Sequence, residues 1–171
     1  VGMVAVKKNI EKLRGKVEVT SKEGEGSTFT IKLPLTLAII DGIVVNVGDT
    51  KYIIPTVSIE ESLQPKEEEI STVKDQGEVI NIRGNLLSLV RLHKLYNINT
   101  TKTIPWESIV VVVEGAEGKY GVLVGELLGQ QQVVIKSLGD RFKNVKGISG
   151  SAILGDGKVG LILDVTGEIG R

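Results

Sequence analysis

Apolar and polar positions along the chain follow two different periods. Near the N-terminus, Met3, Val6, Ile10 and Leu13 recur at spacings of three and four, which places them on one face of a helix. Lys7, Lys8, Glu11 and Lys12 take the other face, and Gly15 follows as a stop. The period then changes to two. Val17 and Val19 alternate with Lys16, Glu18 and Thr20, Glu23-Gly24-Glu25-Gly26 supplies a turn, and Phe29, Ile31 and Leu33 return, closed by Pro34. A helix and one hairpin cannot enclose a core. Residues 1–35 are therefore expected to be a piece of a larger body.

From Leu35 onward the pattern predicts only strands and turns. An apolar strand over 37–47 turns at Gly48-Asp49 into a second over 51–55. Residues 57–63 read as a short helical turn. Residues 64–76, with Pro65 and the run Glu67-Glu68-Glu69, read as an exposed connection. Strands over 78–83 and 86–92 flank Gly84-Asn85, a helical turn covers 93–96, and a polar link runs over 97–105. The second half repeats the first. Val44–Val47 and Lys51-Tyr52 are matched about 68 residues on by Val110–Val113 and Lys119-Tyr120. Ile80–Ile82 and Leu86–Leu92 are matched about 73 residues on by Ala152–Leu154 and Val159–Val165. Two pairs in the same order indicate a duplicated β unit, although similar hairpins also arise independently. A unit of some 65 residues without a covering helix buries its apolar face by curling, so the expected architecture is mainly β, with two small five-stranded barrels over 36–171.

Composition sharpens this. Valine, isoleucine and leucine dominate, aromatics make up 4% and there are 21 glycines, a mixture that favours strands and tight turns. The formal net charge of the 171 residues is zero. A nucleic-acid binder carries a basic excess and exposed aromatics, so the expected partner is a protein. There is no cysteine, which rules out disulfides and thiolate chemistry and fits a reducing cytosol. No apolar run is long enough to insert in a membrane.

Candidate chemistry is sparse. His93 is the single histidine and reads as a surface or packing residue. Asp41, Asp140, Asp156 and Asp164 have no spacing that makes a dyad or metal cluster, and Asp156 is explained by its Gly-Asp-Gly turn. Ser149-Gly150-Ser151 lacks the strand-to-helix setting of a nucleophile elbow. The expected catalytic and metal sets are therefore empty. The β region instead offers surplus aliphatics: Leu86, Leu87, Val90, Leu92, Val122–Val124, Leu127 and Leu128 exceed simple alternation. Most are expected in the core, with the remainder marking docking surface.

Specific motifs carry a resemblance. Val1-Gly2-Met3 with Val6-Lys7-Lys8-Asn9-Ile10 and Leu13-Arg14-Gly15 resembles the segment after the ATP lid in GHKL-type histidine kinases of the CheA kind. Gly24-Glu25-Gly26-Ser27-Thr28-Phe29-Thr30-Ile31 and Leu33-Pro34-Leu35 resemble that family's last glycine box and final strand. Leu35–Ile40, Gly129-Gln130, Ile135–Gly139 and Gly150–Gly157 resemble the following regulatory domain, which is similar to the adaptor CheW.

The resemblance implies a GHKL remnant over 1–35 and a regulatory domain of two SH3-like barrels over 36–171. It implies partners in CheW and the cytoplasmic tip of chemoreceptors, and a cytoplasmic location at receptor arrays. Receptor contacts are expected near Val57, Ile59 and Glu60. Gly2, Gly26 and Ser27 would touch nucleotide only in an intact kinase, where ATP and Mg²⁺ are the cofactors. Val4 replaces the family's usual aspartate and Ser27 its usual threonine. The asparagine-bearing and Asp-x-Gly-x-Gly boxes that hold Mg²⁺ and adenine are missing, so the fragment is expected to bind no cofactor and to phosphorylate nothing. The rival reading is a functional ATP-binding kinase fragment.

Overall fold

The computed structural model describes residues 2–13, 15–33, 39–138, 142, 144–167 and 169. The closing Pro34, the junction over 35–38, Arg14, Gly139 and Asp140 lie outside the described residues. The chain divides into two compact units, residues 1–38 and 39–171.

The first unit holds helix α1 (Gly2–Lys12) and the strands β1 (Lys16–Lys22) and β2 (Gly26–Lys32). These are the elements that the two periods predict. The strands pair antiparallel, with Val17 opposite Ile31 and Val19 opposite Phe29, which puts four apolar side chains on one face. Val19, Phe29 and Ile31 are exposed, as are Met3, Val6 and Leu13, so this unit leaves its apolar surface uncovered.

The second unit holds β3 (Ile39–Val47), β4 (Thr50–Pro55), β5 (Ile59–Leu63), β6 (Ile70–Val73), β7 (Gly77–Ile82) and β8 (Asn85–Arg91). The one-turn helix α2 (Leu92–Leu95) follows, then β9 (Ile109–Gly115), β10 (Gly118–Val124), β11 (Glu126–Val134), β12 (Ile148–Ile153) and β13 (Val159–Leu163). Two expectations need correction. The helical turn at 57–63 shrinks to a 3-10 turn at Thr56–Ser58, and residues 59–63 form β5, because Ile59, Glu61 and Leu63 alternate against β9. The connection over 64–76 contains a 3-10 turn at Glu67–Glu69 and then β6, which pairs with β7 through Ile70↔Ile80.

The strands form two sheets, ordered β5-β9-β10-β8-β7-β6 and β11-β3-β4-β13-β12. Neither sheet is built from one half of the sequence. The β3–β4 hairpin of the first half sits between β11 and β13 of the second, and the β9–β10 hairpin sits between β5 and β8. The expected barrel from each contiguous half is thus replaced by a reciprocal exchange of hairpins. The repeat itself is written in the register. Val45↔Tyr52 and Val113↔Tyr120 lie 68 positions apart. The parallel contacts Ile53↔Ile162 and Gly121↔Leu89 are related by the same 68 positions in the hairpin and by 73 in its parallel partner.

This arrangement explains why the hairpin strands are apolar at consecutive positions. Successive side chains point to opposite faces, and here both faces are buried. Val45, Val47, Tyr52, Ile54, Val111, Val113, Val122 and Val124 face a central core shared by both sheets. Their neighbours Val44 and Ile53 join Val133, Ala152 and Ile162 inside the five-stranded sheet. Val110, Val112 and Leu123 join Ile80 and Leu89 inside the six-stranded one.

Candidate protein-docking surface

Sequence position alone places Val57, Ile59 and Glu60 together; the fold gives each a different task. Val57 projects from the 3-10 turn at Thr56–Ser58 and is 96% exposed, an orientation that costs apolar surface and serves no internal packing. Ile59 turns inward against the central core. Glu60 is exposed and accepts a hydrogen bond from Lys119 Nζ of β10 at 2.7 Å, which holds the Lys119 ammonium above its ordinary range.

Beside this pair lies a concave site of about 410 Å³. Ile82, Leu87 and Val112 line it, and Leu86 stands at its edge, 60% exposed. Charges surround it: Lys119 bonds Glu60, and Arg83 bonds Glu61 through two nitrogens. Leu86 is carried there by the turn at Arg83-Gly84, where both residues have positive φ and the Gly84 N–H donates to Asn81 Oδ1 at 2.9 Å. An aliphatic centre within a polar rim is the anatomy of a protein interface.

The repeat supplies a second such surface. The residue 73 positions after Leu86 is Val159, also 60% exposed, and it lies directly across from exposed Ile153 on β12. The residue 68 positions before Lys119 is Lys51, which pairs with Asp156 of the neighbouring turn. Hydrogen bonds from Lys51 Nζ and the Lys158 N–H hold the Asp156 carboxyl below the usual carboxylate range.

A family profile described as CheW-like domain matches residues 41–169. The chain belongs to the CheW-like domain family. The CheW-like chain is 45% identical over 166 residues to the chemotaxis protein CheA of Salmonella typhimurium, covering 97% of itself and 25% of that relative. It is 46% identical over 166 residues to CheA of Treponema pallidum, covering 96% of itself and 20% of the relative. To the sensor histidine kinase CheAY of Helicobacter pylori it is 45% identical over 165 residues, again 96% and 20%. The CheW-like chain thus spans about a fifth to a quarter of the curated relatives it matches. In fold it resembles the crystal structure of the scaffolding protein TtCheW from Thermoanaerobacter tengcongensis, with a TM-score of 0.63 and 18% identity, over 77% of this chain and 97% of that one.

The residues expected to meet nucleotide are placed apart from this surface in the sequence. Gly2 opens α1, and Gly26 and Ser27 open β2. Gly26 has φ near 103°, which the turn into β2 requires, and the Ser27 hydroxyl lies 2.9 Å from that of Ser21. Among the described residues there is no group of three or more His, Cys, Asp or Glu that could hold a metal ion. His93 is half-buried on α2, where burial and then Arg91 and Lys94 hold its imidazole below the ordinary value. Asp164 accepts from the N–H groups of Thr166 and Gly167 and closes a turn. Ser149 donates to the Ile162 carbonyl.

Sequence reasoning singled out Leu86 among the surplus aliphatics, but it missed Lys119, Arg83, Val159 and Ile153. Their signal was position: each lies at a strand end beside a glycine turn, where alternation no longer dictates an inward side chain. Of the other surplus aliphatics, Leu92 and Val122–Val124 are buried in the core, whereas Leu127 and Leu128 are exposed on β11.

Proposed function

We propose that this chain is the docking and regulatory part of a chemotaxis histidine kinase, coupling it to the adaptor CheW and to the cytoplasmic tip of chemoreceptors. In this reading the two sheets correspond to the two SH3-like barrel subdomains, and residues 1–35 are the end of a GHKL-type ATP-binding domain whose other elements cover the exposed Val19–Phe29 face. ATP and Mg²⁺ belong to that intact domain, and the fragment itself catalyses nothing. The assembly works in the cytoplasm against membrane-bound receptor arrays.

The observation that carries this reading is the pair of repeat-related surfaces at Leu86 and at Ile153–Val159. Each combines an exposed aliphatic with an anchored lysine, and each is suited to a CheW-type barrel by the same chemistry. Val57 and Glu60 are assigned to the receptor. The test is co-sedimentation of the chain with CheW and a chemoreceptor cytoplasmic fragment. Dependence of recovery on both partners is expected, with loss on Leu86→Glu and on Val159→Glu separately. Equal recovery of wild type and both variants would overturn the assignment.

A further inference from the structure

The exchange of hairpins has a consequence for how the 39–171 unit is held together. Four strand pairs join the first half to the second: β3 with β11, β4 with β13, β5 with β9 and β8 with β10. In each half taken alone, both outer edges of the β3–β4 or β9–β10 hairpin would be left without partners, and an unpaired buried edge is costly. The central core divides in the same way. Val45, Val47, Tyr52, Ile54 and Leu92 come from the first half, and Val111, Val113, Val122, Val124 and Leu163 from the second. Neither set encloses itself.

Covalent continuity between the halves runs only through the link over 97–105. It is mostly polar and is fastened by Arg91 Nη1 donating to the Thr103 carbonyl, by the packing of Gly48 against the Asn99 carbonyl and by Ile98, which rests against the central core. It contributes no strand to either sheet. Its physical role is to raise the local concentration of one half near the other.

We propose that each half is the binding partner of the other, so that a half separated from its own mate is completed by the mate from a second copy of the chain. The inference rests on topology and stands apart from the docking assignment above. The test uses the full chain with a site-specific protease sequence inserted between Thr100 and Thr101, cut after folding. The cut halves are expected to co-elute at the size of the uncut protein with an unchanged circular dichroism spectrum. Their melting temperature then rises with concentration, by about 3–5 °C per tenfold, whereas that of the uncut chain does not. When differently tagged cut samples are mixed, unfolded and refolded, capture of one tag brings down hybrid pairs. Separate elution of two structured halves overturns the proposal, as does loss of strand signal on cutting, and so does refolding that yields no hybrids.

Discussion

Arg91 of β8 grips Glu78 of β7 with two nitrogens, Nε to Oε2 at 2.7 Å and Nη2 to Oε1 at 2.6 Å, and uses its third for the Thr103 carbonyl. The pair is mostly buried, so the geometry is held in a medium of reduced dielectric. Arg91→Ala leaves a carboxylate and a carbonyl without their donor and is expected to cost about 1–3 kcal/mol in urea unfolding.

The same pair sets a pH dependence. The Arg91 hydrogen bonds hold Glu78 below the usual carboxylate range, against the opposing effect of burial. A carboxyl depressed by folding stabilises above its unfolded pKa, near 4.3, and loses that contribution as pH falls through the folded value. The stability gap between wild type and Glu78→Gln is therefore expected to be full at pH 7 and to narrow below about pH 4. A gap that widened in acid would contradict the assignment.

Two half-buried tyrosines give the opposite sign. Tyr120 donates to the Val165 carbonyl at 2.6 Å and Tyr96 to the Lys146 carbonyl at 3.0 Å, fastening segments that follow β11 and β13. Burial, aided at Tyr120 by Asp164, pushes both phenols up to about 12. A group with a raised folded pKa stabilises below its unfolded value, near 10, and that stability drains as pH rises toward 12. Base unfolding and tyrosinate absorbance are expected to rise together in that window. Tyr120→Phe is expected to cost about 1 kcal/mol at neutral pH.

Close packing explains one further position. A Cβ on Gly42 of β3 would overlap Ile53 Cγ2, inside the core of the five-stranded sheet. Gly42→Ala is expected to destabilise by about 1–3 kcal/mol, and Ile53→Val in the same chain to recover part of the loss.

What was legible in the sequence follows from where one period ruled. Met3 to Leu13 show the helix because only one face is apolar, and β1 and β2 show alternation for the same reason. Val110–Val113 gave a strand but not its neighbours, because a run buried on both faces carries no sign of which sheet owns which side. The repeat was visible in the 68- and 73-residue offsets, yet duplicated units pack alone or exchange hairpins with equal economy of sequence. β6 was hidden by Glu67–Glu69, whose charge announces solvent although Ile70 and Val73 turn back onto β7. Glu60 was named through the resemblance; its partner Lys119 lies 59 residues away and becomes its neighbour only through the exchange.

Exposure at the docking surface separates binding from stability. Leu86→Glu is expected to leave the unfolding midpoint within about 0.5 kcal/mol of wild type while weakening CheW affinity about tenfold or more. Fluorescence anisotropy with labelled CheW and urea titration of the same samples measure both.

Calorimetric titration of the chain with CheW from the same organism, beside a parallel titration with ATP·Mg²⁺, tests docking and the lack of nucleotide binding at once. Saturable CheW binding with no ATP heat is the expected result. A folded chain that ignores CheW, or one that binds ATP·Mg²⁺ and loses it on mutation of Gly26, would contradict it.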